Sequence, residues 1–234
     1  MEEKEMPFWE HFNELRRRLI LCIVVFIIIT IVSFPLSPIV ISRIMNDLVH
    51  DARIIVLSPQ EAIIVYLNLS ILLSFILSFP IVAYHLWVFI APGLLDSEKR
   101  IILPVIVSSI LLFITGIAFS YYLLLPLTIR FLINVSYSVA EPFLDLRQTI
   151  SFITGIMLIF GLLFQLPLVA AVLSRLSILN HKSLKSRRNY FILIAFILSA
   201  IITDPSIFTQ ILVAIPIIIL YEISVLAARM FERK

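Results

Sequence analysis

Six membrane-crossing helices, packed into a single all-α bundle that is concave on one side, are the architecture this sequence predicts. Three observations point to it. Of the 234 residues, 61% are hydrophobic and 14% charged, at a mean hydropathy of +1.11, where soluble domains carry about a quarter charged residues. The apolar residues fall into runs of membrane length separated by short polar gaps, which suits one integral membrane domain over residues 1–234. Basic residues collect in alternate gaps, as they do when successive runs cross and return. No internal repeat and no linker interrupts the pattern.

The same composition narrows the function. A net charge of +3 gives no reason to expect a nucleic-acid partner, so the distribution of charge matters more than its sum. Cys22, the single cysteine, lies in the first apolar run, where an intrachain disulfide is impossible and a buried, inert thiol is expected. His11, His50, His85 and His181 lack metal-ligand spacing. Neither a nucleophile with its base nor a phosphate-cradling loop is visible in a chain with 4 glycines. No enzyme and no cofactor is expected.

Residues 1–18 read as an interfacial segment. MEEKE is acidic, unlike the start of a cleaved signal, so span one is expected to stay in the mature protein. From Pro7 to Arg18, Phe8, Phe12, Leu15 and Leu19 recur at helical spacing, with Glu10, Glu14 and Arg18 on another face. Span one covers 19–41, and Pro35 and Pro38 kink or end it. Span two covers 62–91 behind Ser58, Pro59, Gln60 and Glu61, a capping box with proline in the first turn. Pro80 lies inside it, and Tyr84, Trp87 and Phe89 form an aromatic belt near its end. Pro92 and Gly93 then open a hinge with Asp96, Ser97, Glu98, Lys99 and Arg100.

Span three covers 101–125. The stretch from Pro126 to Thr149 is too apolar for a free linker, given Phe131, Leu132, Ile133, Phe143 and Leu146, and is expected to pack as a cap. Span four, 150–176, carries Ser151 and Gly155 at the spacing that lets a neighbouring helix approach, and Gln165 and Pro167 at mid-depth. Span five, 189–203, has 15 residues, which is about 22 Å of helix against a hydrocarbon core of about 30 Å. After a turn at Asp204, Pro205 and Ser206, span six covers 207–226, its apolar part ending near Tyr221. Two short neighbours would thin the bilayer beside them.

Of the 18 Lys and Arg, 14 fall at the N-terminus, in the loops Gly93 to Arg100 and Arg175 to Arg188 and at the C-terminus; Arg43, Arg53, Arg130 and Arg147 make up the other face. The positive-inside rule then puts both termini in the cytoplasm.

Glu14 and Glu98 are the acidic residues whose placement asks for an explanation. Glu14 could pair with Arg18 one turn on, and Glu98 could favour the start of span three through the helix dipole. Alternatively the two converge at the cytoplasmic interface as a receptor for a cationic segment, because a partly desolvated carboxylate suits a guanidinium fork.

HFNELRRRL before span one, LSPQE before span two, SFPIVAYHLWVFIAPGLLDSEKR around the first hinge, GLLFQLP in span four and TDPSIFTQILVAIP at span six resemble, in order, the TatC family. That family is the multispanning receptor of the twin-arginine protein translocase of the prokaryotic cytoplasmic (inner) membrane. The resemblance implies that folded proteins with a twin-arginine signal peptide dock through Glu14, Arg16, Phe89, Leu94 and Glu98. It implies TatB-like and TatA-like single-span partners within a larger complex, membrane lipid around them and further copies of this chain as a candidate neighbour. Transport would be driven by the proton-motive force. Pro38, Pro80 and Tyr121 carry over as further positions of structural importance.

Two positions depart from the family pattern. Gln165 stands where the family usually has glutamate, and an amide hydrogen-bonds but does not titrate near neutral pH. It reads either as a mid-membrane polar pocket or as a helix-to-helix hydrogen bond. In Thr203, Asp204, Pro205, Ser206 the acid sits two positions earlier than in the family's T-P-P-D, where it reads as an N-cap. Gln210 is read as a contact for a partner's transmembrane helix, or as a bond to span five. The rival functions are a small secondary transporter using Gln165 and, less well supported by motifs, a membrane-embedded enzyme.

Overall fold

Prolines and caps set most of the helix limits. The computed structural model describes residues 8–49, 52–90, 100–203 and 206–232. Helix α1, Phe8–Ser33, passes through residue 18 unbroken, so the described part of the interfacial segment and the first span form one rod. Pro35 and Pro38 then act through a fixed φ and a missing N–H. Phe34–Leu36 is a 3-10 turn, and α2, Ser37–Leu48, restarts with proline in its first turn.

Helix α3, Glu61–Ile90, begins three residues after Ser58, so the expected box is a turn ahead of the helix rather than its N-cap and first turn. The carboxylate of Glu61, 7% exposed, accepts the Leu57 N–H at 2.9 Å and the Ser58 hydroxyl at 3.3 Å, so it reaches one residue further back than the pattern requires. Helix α4, Ile102–Phe119, passes through a π turn, Ser120–Leu124, into α5, Leu125–Tyr137. Helix α6, Leu146–Leu163, starts four residues before the expected span because Asp145 caps it, accepting the Gln148 N–H at 2.7 Å. Pro167 cannot bond the carbonyl of Leu163, and the chain breaks there before α7, Leu166–Arg175.

The short α8, His181–Ser186, leads to α9, Arg188–Ile202, and α10, Ile207–Phe231. Helix α9 has the expected 15 residues, whereas α10 has 25 and runs well past Tyr221. Glu222 does not end it, because Arg188 pairs with that carboxylate at 2.6 Å. Among the described residues, five helical stretches are long and apolar enough to cross a membrane, with α9 as a shorter sixth.

The stretch expected as a cap is a helix and a strand. The continuous rod from Ile102 to Tyr137 has 36 residues, about 54 Å and longer than the hydrocarbon core of about 30 Å. Its far part, α5, buries Leu125, Ile129 and Ile133 in the main core. Beside it β1, Arg53–Ile55, pairs in parallel with β2, Phe143–Asp145, in the register Arg53 to Phe143.

Val65, Leu69, Ile150, Ile153, Ile156, Phe160, Val213 and Ile217 form the centre of the core, all 0% exposed. Helices α1 and α2 join it through a polar seam on α3: Thr30 of α1 donates to the Ser74 hydroxyl at 2.8 Å, and the hydroxyls of Ser37, which opens α2, and Ser70 are 2.8 Å apart. The closest helix crossing is not at Ser151 and Gly155. A Cβ on Gly155 would meet nothing within 4 Å, whereas one on Gly116 would stand 2.6 Å from the Phe160 carbonyl oxygen and one on Gly161 2.7 Å from the Phe113 ring. Helices α4 and α6 therefore touch backbone to backbone at Gly116 and Gly161. Ser151 instead accepts a hydrogen bond from Asn68 at 3.0 Å beside an open cleft.

Candidate functional site

The contacts that α1 and the first residue of α2 make with α3 fix which residues share a level. Arg18 meets His85, Thr30 meets Ser74 and Ser37 meets Ser70, an antiparallel register. One turn before Arg18 is Glu14, and one turn after His85 is Phe89. The register therefore sets Glu14 beside Phe89 at the end of α3, next to the connection that carries Leu94 and Glu98. Leu94 and Glu98 themselves lie outside the described residues.

At this end α1 turns its polar stripe inward. Phe12, Leu15 and Leu19 are exposed at 53%, 39% and 55%, the arrangement a lipid surround favours, while Glu14 and Arg18 are half-buried. Arg18 donates through Nε at 2.9 Å and Nη2 at 2.5 Å to one oxygen, Oε1 of Glu14. Its Nη1 lies 3.3 Å from Nδ1 of His85; arginine can only donate, so that ring nitrogen is the acceptor. Among the described residues Oε2 of Glu14 takes no hydrogen bond. Among the described residues Glu14 thus has one oxygen engaged and one without a partner, held by a cation that is braced on α3. Arg16 is exposed, and Phe89 is half-buried.

His85 is a member of this site that the sequence did not single out. It stands 67 residues from Arg18, and no local spacing signals such a pair. Among the described residues no group of His, Cys, Asp and Glu could hold a metal ion.

The other expected residues lie elsewhere. Gln165, at the break between α6 and α7, accepts the Ser109 hydroxyl at 2.8 Å and donates to the Ser109 carbonyl at 3.0 Å. This two-point clamp ties the break to α4. Gln165→Leu should lower unfolding stability in detergent by about 0.6–2 kcal/mol, the range of membrane hydrogen bonds. An unchanged denaturation midpoint would count against the clamp. Gln210 donates to the Phe196 carbonyl at 3.0 Å, joining α10 to α9. Pro38 opens α2, and Pro80 lies inside α3. Tyr121, in the π turn, donates to Asp47 at 2.7 Å and ties α2 to the rod that ends in α5.

Comparison with known proteins agrees with this architecture. Residues 10–216 match the family described as Sec-independent protein translocase protein (TatC). The chain is 37% identical to the Sec-independent protein translocase protein TatC of Aquifex aeolicus, over 98% of this chain and 97% of that one. It is 35% identical to TatCd of Bacillus subtilis, over 100% and 96%. A crystal structure of the twin arginine translocase receptor TatC superposes with a TM-score of 0.87 at 36% identity, covering 95% of this chain and 100% of that one. A second, in the detergent DDM, gives 0.85 at 37%, covering 92% and 98%. These matches favour the receptor expectation over the solute transporter. Sequence, fold and length agree: this chain belongs to the TatC family of Sec-independent protein translocase proteins.

Proposed function

We propose that this chain, a multi-pass membrane receptor subunit of the twin-arginine translocase with no chemical step of its own, captures the paired arginines of a signal peptide at the end of the bundle where Glu14 and Phe89 lie. The observation that supports this reading is a half-buried Glu14 whose Oε2, among the described residues, takes no hydrogen bond. A guanidinium approaching it adds a charge-assisted hydrogen bond without displacing Arg18. Glu98, on the adjoining connection, supplies the second carboxylate for the second arginine, and Leu94 and Phe89 supply apolar contact. The basic residues concentrated at this same end support a cytoplasmic placement of both termini. Single-span TatB-like and TatA-like proteins complete the complex, and the proton-motive force drives passage.

The test is binding of a labelled twin-arginine signal peptide to the detergent-solubilised protein, beside a twin-lysine peptide. Wild type should prefer arginine by about tenfold, since lysine cannot offer the planar fork. Glu14→Gln should lose most of that preference. Binding that is blind to the lysine replacement would overturn the assignment.

A further inference from the structure

We propose that the basic pocket between α8, α9 and α10 holds the phosphate of an anionic phospholipid whose acyl chains lie along α10. This site is independent of the signal-peptide reading. The pocket, about 480 Å³, draws Lys182 and Lys185 from α8, Arg188 from the start of α9, and Glu222, Leu226 and Arg229 from α10. Arg188 is neutralised by Glu222 at 2.6 Å, and His181, which also lines the pocket, is engaged by the Glu232 carboxylate. Among the described residues Lys182, Lys185 and Arg229 make no ion pair, so three positive charges face the same small volume.

The wall of the pocket shows what kind of anion it suits. Leu226 belongs to a stripe with Ile219 and Ile223, which are 58%, 52% and 44% exposed and line up at helical spacing along α10. The stripe leads from the pocket down the membrane face of the helix. A soluble phosphate or an acidic peptide would use the charges and leave this stripe uncovered, whereas a phospholipid satisfies both. The short α9 strengthens the fit. A 15-residue helix is about 22 Å long and draws the headgroup layer toward its own ends, and Arg188 is its first residue. Basic pockets between transmembrane helices are a recurrent way of holding anionic headgroups.

The experiment is titration of the full-length protein in neutral detergent with phosphatidylglycerol, phosphatidylcholine or glycerol phosphate, with bound species counted by native mass spectrometry. Each basic side chain near an anionic headgroup contributes about a factor of five. Replacing all three together (Lys182→Gln, Lys185→Gln, Arg229→Gln) should therefore weaken the first phosphatidylglycerol bound about a hundredfold and leave phosphatidylcholine unchanged. Equal retention by wild type and triple variant would overturn the site. Glycerol phosphate competing as well as the lipid would assign a soluble anion and overturn the lipid. If circular dichroism shows the triple variant unfolded, Lys185→Gln alone must still lose about fivefold.

Discussion

Glu98→Ala should abolish measurable capture of a twin-arginine signal peptide, a loss of about a hundredfold or more, while moving the stability of the protein by less than about 0.5 kcal/mol. The split follows from location. The residue belongs to the connection between Ile90, where α3 ends, and Ile102, where α4 begins, and removing an interfacial charge from such a connection costs little packing. An incoming arginine would depend on Glu98 fully, because removing one partner of a desolvated pair leaves the other charge unanswered. Isothermal titration with the peptide, run beside a thermal melt, reads both quantities. Normal affinity in the variant would move the second arginine's partner elsewhere. A collapsed melt would show Glu98 to be structural.

Gly116→Ala should cost about 1–3 kcal/mol of unfolding free energy, as overpacking does. The new methyl would meet the Phe160 carbonyl oxygen at 2.6 Å and the Gly161 Cα at 3.0 Å. Both are backbone atoms and cannot rotate away, so α4 and α6 must part. Gly155→Ala is the matched control. Its Cβ meets nothing within 4 Å, and the helical preference for alanine should make it neutral or stabilising by up to about 1 kcal/mol. Denaturant titration in micelles compares the two. Equal effects would mean that α4 and α6 do not cross at Gly116.

The contrast between these glycines shows what a sequence can and cannot declare. Ser151 and Gly155 carry the small-residue spacing on one helix, but a crossing needs a partner surface, and the surface that arrives is Gly116 against Gly161. Features written into neighbouring residues were legible: the helix start near Glu61 and the kink at Pro35 and Pro38; the break ahead of Pro167, inside a span read as continuous, was not. Features that need a distant partner were not. Glu222 looked like the end of the last span because Arg188 was not yet beside it, and the apolar stretch after Pro126 announced packing without announcing a strand pair. At the site, Glu14 and its bond to Arg18 were readable at one helical turn. The anchoring by His85 was not, and neither was the inward direction of the polar stripe, which depends on lipid taking the place of water outside.

The parallel ladder of β1 and β2 has a consequence for biogenesis. Its partners, Arg53 and Phe143, are separated in the chain by the whole of α3, α4 and α5, and parallel pairing of such distant segments closes a long loop. The ladder therefore cannot form until both intervening spans have been threaded through the bilayer and returned the chain to its starting side. Formation of these few hydrogen bonds would mark the moment when the first half of the protein has been inserted correctly.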